Sequence, residues 1–268
     1  FTTLPGELIV LNCSGINWPG VRRSALLPLG SHPRLVKDVV FPELSIPLPL
    51  TTDLSALLTE VSSLSASWKV DTVSLHGLPE QVRQQLDINT GWITRPLTGF
   101  LAEVDNWSPS SKVRNRLRKA VSCGVYCTQA TTRLEFKQIR QTLDFLNFGS
   151  EDSTDCVDRQ VSFFESAYRR GRGVGILAQQ NGRTLAGMFS VVIRRRLYML
   201  IHGYDPAAVS LCPNDLLYAN TLDIAKKIGA EIVCWGDVEP NDIGLARMKQ
   251  KYSTQAQDNP SMHWLGNL

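Results

Sequence analysis

From residue 108 onward the apolar and polar positions follow two clear periods. Val113, Leu117, Ala120 and Val121 fall at i, i+4, i+7 and i+8, which predicts a helix with one packing face, capped by Ser110 or Ser111 and stopped by Gly124. A strand is predicted over 125–130, and helical spacing follows over 134–148 and 156–170. Strand signals over 174–180 and 183–193 flank Asn181-Gly182, a dipeptide that accepts the positive φ angles of a tight hairpin. A third strand over 197–203 completes an antiparallel meander. A helix over 214–228 is closed by Gly229 and carries Lys226 and Lys227 in its last turn, where they complement the helix dipole. The run EIVCW predicts a buried strand, 242–252 a short helix, and the tail a last strand, so the order after Gly124 is β-α-α-β-β-β-α-β-α-β.

The first hundred residues hold most of the prolines and read mainly as extended connections. Within them, Leu54, Leu57, Leu58, Val61 and Leu64 predict an amphipathic helix over 52–68, with Thr52 or Asp53 as its cap. A strand is predicted over 70–79 and a further extended segment over 93–104. The expected division is a reduced lobe over 1–104 and a complete one over 105–268, in a mixed-sheet α/β (α+β) fold.

With 268 residues, 43% of them hydrophobic, the chain can bury one large core or two modest ones. A formal net charge of +3 excludes a broad nucleic-acid footprint and leaves room only for a local basic patch. Such a patch is the predicted outer face of the first helix, with Lys112, Arg114, Arg116, Arg118 and Lys119; no aromatic residues interleave with it, so base stacking is not indicated. Six scattered cysteines, of which only Cys123 and Cys127 are close, read as free thiols without a zinc site. No apolar run reaches membrane-spanning length and no signal peptide is visible, which leads us to expect a cytoplasmic protein with no membrane span.

Five stretches carry a family resemblance: SSKVRNRLRKAVSCGV (110–125), Gly182 to Gly187, the Gly-Tyr-Asp-Pro of 203–206, Pro213 to Leu217, and Met248-Lys249-Gln250-Lys251-Tyr252. In their order and spacing they resemble the GNAT acyltransferase fold, in the form of the two-lobed Fem-type aminoacyltransferases and their BioF2-like or CelD-like relatives, over about residues 105 to 255. The resemblance implies an N-acyltransferase acting on a small-molecule amine held between two lobes. Its donor would be acyl-CoA or, as in Fem-type enzymes, aminoacyl-tRNA.

Coenzyme A-using members of that superfamily carry a glycine-bearing loop before the helix that follows the fourth strand. Here the loop is AAVSLCPND. Pro213 removes an N–H, Asn214 is placed to cap the helix, and Asp215 would set a carboxylate against a pyrophosphate, which disfavours coenzyme A. The only glycine-alternating loop, Gly171-Arg172-Gly173-Val174-Gly175, leads into a strand and reads as a flexible turn.

Amide formation needs a neutral amine, donors for the developing oxyanion and a route for protons. Asp237 and Glu239 follow the buried strand, at the end where an open sheet places ligands, and could orient an amine or take its proton. A turn built on Gly236 is the competing reading of Asp237. His202 and Tyr204 share a strand face and are candidates to line the acceptor site; a core histidine is the plainer alternative. Lys249 matches the lysine of the relatives' Phe-Lys-x-x-Phe pattern, and the resemblance assigns it to a phosphate or the reacting carbonyl; otherwise it is a solvated helix lysine. Arg114 and Arg118 could grip phosphates of tRNA or of a nucleotide-linked substrate. An inactive GNAT-like module that binds such a ligand or RNA is the alternative from another class.

Overall fold

The structure is a computed structural model that describes residues 2–3, 9–10, 34–36, 39–41, 72–75, 92–146, 154–193, 195–258 and 261–265. The helix expected over 52–68, together with His32 and His76, lies outside the described residues. The chain divides into two compact units. One holds 1–99, 237–241 and 257–268, and the other 100–236 and 242–256. In the first unit, Ser261–Leu265 pairs antiparallel with both Thr72–Leu75 and Trp92–Arg95 in a three-stranded sheet.

The second unit is built on β1 (Thr98–Glu103), α1 (Ser111–Ser122), β2 (Tyr126–Ala130), α2 (Arg133–Gln141), α3 (Thr154–Arg169), β3 (Gly173–Gln180), β4 (Arg183–Ile193), β5 (Arg196–Tyr204), α4 (Pro213–Lys227), β6 (Ile232–Val238), α5 (Ile243–Gln250) and β7 (Gln255–Asp258). Its sheet has seven strands in the order β7-β1-β6-β5-β4-β3-β2. The expected mixed α/β architecture is therefore present, with β3, β4 and β5 forming the antiparallel meander. Asn181 (φ 50°) and Gly182 (φ 78°) supply the positive angles of the first hairpin.

Local chemistry fixes the helix starts. Ser110 caps α1 through its Oγ, which accepts from Val113 N at 3.3 Å. Thr132 and Glu135 form a reciprocal capping box at α2, a signal the sequence reading passed over. The packed face of α1 is Val113 and Ala120 with half-buried Leu117; Val121, expected on that face, is 62% exposed. It sits in the last turn of α1.

Each sheet face is covered differently. On one, α2 and α3 pack Phe136, Ile139, Phe163 and Phe164 over Phe189, whose ring stacks on Phe164 at 4.2 Å. Each such buried side chain contributes roughly 1.5–3 kcal/mol. The close approach of α2 requires missing side chains: a methyl at Gly203 would meet the Thr142 carbonyl, 2.5 Å from its oxygen. Gly173 and Gly175 serve the same packing, with Cβ positions 2.6 Å from Tyr168 N and 2.8 Å from Ile139 Cδ1. The loop read as a flexible turn is thus a turn only at Gly171 (φ 66°), and its other two glycines are strand residues under helices. On the opposite face lies α4, whose Tyr218 hydroxyl meets Met199 Sδ at 3.7 Å and whose Thr221 Oγ1 meets Met188 Sδ at 3.4 Å.

The feature that positions the site is the β5–β6 pair. These strands run parallel and are paired at Arg196/Ile232, Leu197/Val233 and Tyr198/Cys234; among the described residues the pairing ends there. Just beyond, the β4–β5 register slips between Phe189 and Ser190, leaving Leu200 as an extra residue that bends β5. From that point toward their carboxyl ends the two strands are no longer paired with each other, and it is in this sense that they part.

Candidate functional site

The parted end of β5 carries His202 and Tyr204 on the α4 face. Alternation predicts this, and their rings stack at 5.8 Å and 23°. His202 also meets the edge of Tyr218 at 5.2 Å. Its Nε2 lies 3.1 Å from Asn214 Oδ1. An amide oxygen can only accept, so Nε2 carries the proton and Nδ1 keeps its lone pair. Burial pushes the His202 pKa down to about 4; the Asn214 bond opposes this and the Lys249 charge adds to it. The imidazole is consequently neutral at physiological pH, with one nitrogen available to accept.

Asn214 was expected to cap α4, and this is corrected. The N-cap is Cys212, in the left-handed region at φ 57° and ψ 39°, and it makes no side-chain cap bond. The Asn214 side chain is turned to His202 instead. Asp215 is corrected as well. It is buried and neutralised: Arg116 Nε donates to one carboxylate oxygen at 2.7 Å and the Tyr252 hydroxyl to the other at 2.6 Å. The bond to Asp215 raises the Arg116 pKa above its ordinary value. Burial, reinforced by the neighbouring carboxylate, pushes the Tyr252 hydroxyl far up, and its hydrogen is given to Asp215. The Asn214 and Asp215 objections to an anion at the start of α4 are thereby lifted, while Pro213 still withholds one N–H there.

Lys249, on α5, is buried at 4% exposure, against the solvated reading of a helix lysine. Aromatic rings enclose this region: Tyr218 lies 4.7 Å from Trp235 and 5.0 Å from Tyr252, and Trp235 Nε1 donates to the Tyr252 carbonyl at 2.8 Å.

The structure thus brings together His202 and Tyr204, and the charge of buried Lys249 acts on His202. Asp237, half-buried, and Glu239, exposed, lie in the 237–241 segment grouped with the first unit, after a Gly236 whose φ is 78°. Arg114 Nη1 donates to the Pro109 carbonyl at 2.6 Å and Arg118 Nη1 to Asn115 Oδ1 at 3.3 Å, both on the exposed side of α1. The arginine that turns inward is Arg116, which the sequence reading had grouped with the cationic face. Its i, i+3, i+4 relation to Val113 and Ala120 was the available signal.

No curated protein matches the chain in sequence. Among solved structures, FemX aligns over 97% of this chain and 92% of its own, with a TM-score of 0.64 and 11% identity. The L-PGS of Bacillus licheniformis aligns over 85% and 76%, with a TM-score of 0.53 and 13% identity. A GCN5-related N-acetyltransferase from Sphaerobacter thermophilus aligns over 78% and 67%, with a TM-score of 0.51 and 14% identity. These likenesses show a shared fold. Residues 110–239, from the Ser110 cap of α1 to just past β6, match the family model of the acetyltransferase (GNAT) domain.

Proposed function

We propose that the protein transfers an acyl or aminoacyl group to a small-molecule amine where β5 and β6 part. The observation that carries this reading is the parting itself, on the face where His202, Lys249 and the start of α4 converge. Beyond Tyr198 the β5 edge offers backbone groups that an extended, amide-containing donor arm can pair with. The anionic end of such a donor then meets the amino end of α4, where Cys212 provides no side-chain cap and Arg116 balances Asp215.

In the transfer the amine attacks the donor carbonyl, an N–C bond forms, the bond to the donor sulfur or oxygen breaks, and the ammonium proton passes through solvent to the departing sulfur or oxygen, which leaves as a thiol or hydroxyl. His202 accepts a hydrogen bond from the amine at Nδ1 and holds its lone pair toward the carbonyl. Lys249 stabilises the negative charge that develops on the carbonyl oxygen and then on the leaving group. Tyr204 forms the wall beside His202. Positioning supplies a large part of the rate, so no nucleophilic side chain is required.

Acyl-CoA is the first donor to test, because the start of α4 suits a phosphate. Aminoacyl-tRNA is the second, favoured by the exposed Lys112, Arg118 and Lys119 on α1. The protein is incubated with each donor and a panel of amines, and products are read by mass spectrometry. An amide product from either donor supports the reading. Absence of transfer from both, with RNA binding that falls steeply with salt, would mark a binding module instead.

A further inference from the structure

Asp215 lies one residue beyond Asn214 yet makes contacts that no nearby sequence explains. Its partners come from two other elements: Arg116 on α1, 99 positions away, and Tyr252 in the turn after α5, 37 positions away. Tyr252 is in turn bound to the last turn of α5, since its backbone N–H donates to the Lys249 carbonyl at 3.0 Å. Its own carbonyl accepts from Trp235 on β6. A carboxylate that receives one donor on each oxygen holds both in direction as well as distance.

We propose that Asp215 is a positioning residue of the transfer site: by holding Arg116 with one oxygen and Tyr252 with the other, it fixes the end of α5 so that Lys249 lies beside His202. The proposal rests on the transfer reading for its consequence in catalysis, and on the contacts from Asp215 through Tyr252 to the Lys249 backbone for the linkage. Asn214 and Asp215 divide the work. The first sets His202, the second sets Lys249, and both stand on the first turn of α4. Arg116 holds the Asp215 carboxylate in direction; the Tyr252 hydroxyl serves only as a strut. The groups facing His202 are Tyr204 on its own strand, Asn214 and Tyr218 on α4, and the Lys249 charge from α5.

The test uses the full chain with Asp215→Asn and Tyr252→Phe. The second variant removes one hydroxyl and keeps the ion pair, so it remains informative if the first fails to fold. Acyl transfer is measured beside the NMR titration of His202, assigned among the four histidines with His202→Gln. In folded Tyr252→Phe we expect kcat to fall about tenfold with donor KM within about twofold. The His202 pKa, held down mainly by burial, should rise by the smaller part that the Lys249 charge contributes as Lys249 moves away. Wild-type kcat and an unmoved His202 titration in that variant would overturn the proposal. If the unmodified protein transfers nothing, the titration alone decides. A rise upholds the linkage while the transfer reading fails, and no rise overturns the linkage.

Discussion

His202 on β5 and Asn214 on the first turn of α4 are joined across 3.1 Å, Nε2 to Oδ1. This bond ties the bent end of the strand to the start of the helix. It also fixes the imidazole tautomer that leaves Nδ1 as an acceptor.

A pH dependence of stability follows from the same residue. His202 titrates at about 4 when folded, below its ordinary 6.5. Between these values the unfolded chain binds a proton that the folded one does not, so stability falls as pH drops from 6.5 toward 4. The loss reaches on the order of 3 kcal/mol. Urea denaturation from pH 7 to pH 4 should show this slope in the natural protein, reduced in His202→Gln. Equal slopes in the two would show that His202 is not the group.

The contact between Gly203 and Thr142 sets a steric limit. Gly203→Ala would place its methyl against the Thr142 carbonyl, backbone that cannot rotate away. We expect a loss of at least about 2 kcal/mol in chemical denaturation. A loss below about 0.5 kcal/mol would mean that α2 can lift from the sheet without penalty.

The ion pair between Arg116 and Asp215 makes a further prediction. Arg116→Met leaves the Asp215 carboxylate enclosed with only Tyr252 as donor. Because Arg116 keeps 35% of its side chain exposed, the expected cost is about 2 kcal/mol, below that of a fully enclosed pair. The double variant Arg116→Met/Asp215→Leu should recover part of it. Additive losses in denaturation would contradict the pairing.

Much of this arrangement was legible in the sequence where the signal is local. Asn181-Gly182 marked the hairpin, the alternation of His202 and Tyr204 placed both on one face, and the Lys226-Lys227 end of α4 fell within a residue of its predicted stop. The misreadings concern residues whose roles depend on distant partners. Asn214 has the chemistry of a cap, but the histidine across the turn competes for its side chain. Asp215 looked like a charge that would repel a pyrophosphate because Arg116 stands 99 positions earlier. Gly173 and Gly175 looked like a flexible turn because the helices above them are invisible to a short window.

Donor binding is the next check. Acetyl-CoA at a hundred times its Kd should stabilise the fold by about 2.7 kcal/mol, and Arg116→Met should lessen that gain at fixed concentration. An identical thermal shift in the variant would remove Arg116 from the anion-binding end of α4.

The most direct measurement is the turnover of Lys249→Ala, in a variant shown by its melting curve to be folded. With either donor, we expect amide formation to fall at least tenfold, about 1.4 kcal/mol of transition-state stabilisation. Turnover equal to that of the natural protein would contradict a transfer site built on Lys249 at the parted strands.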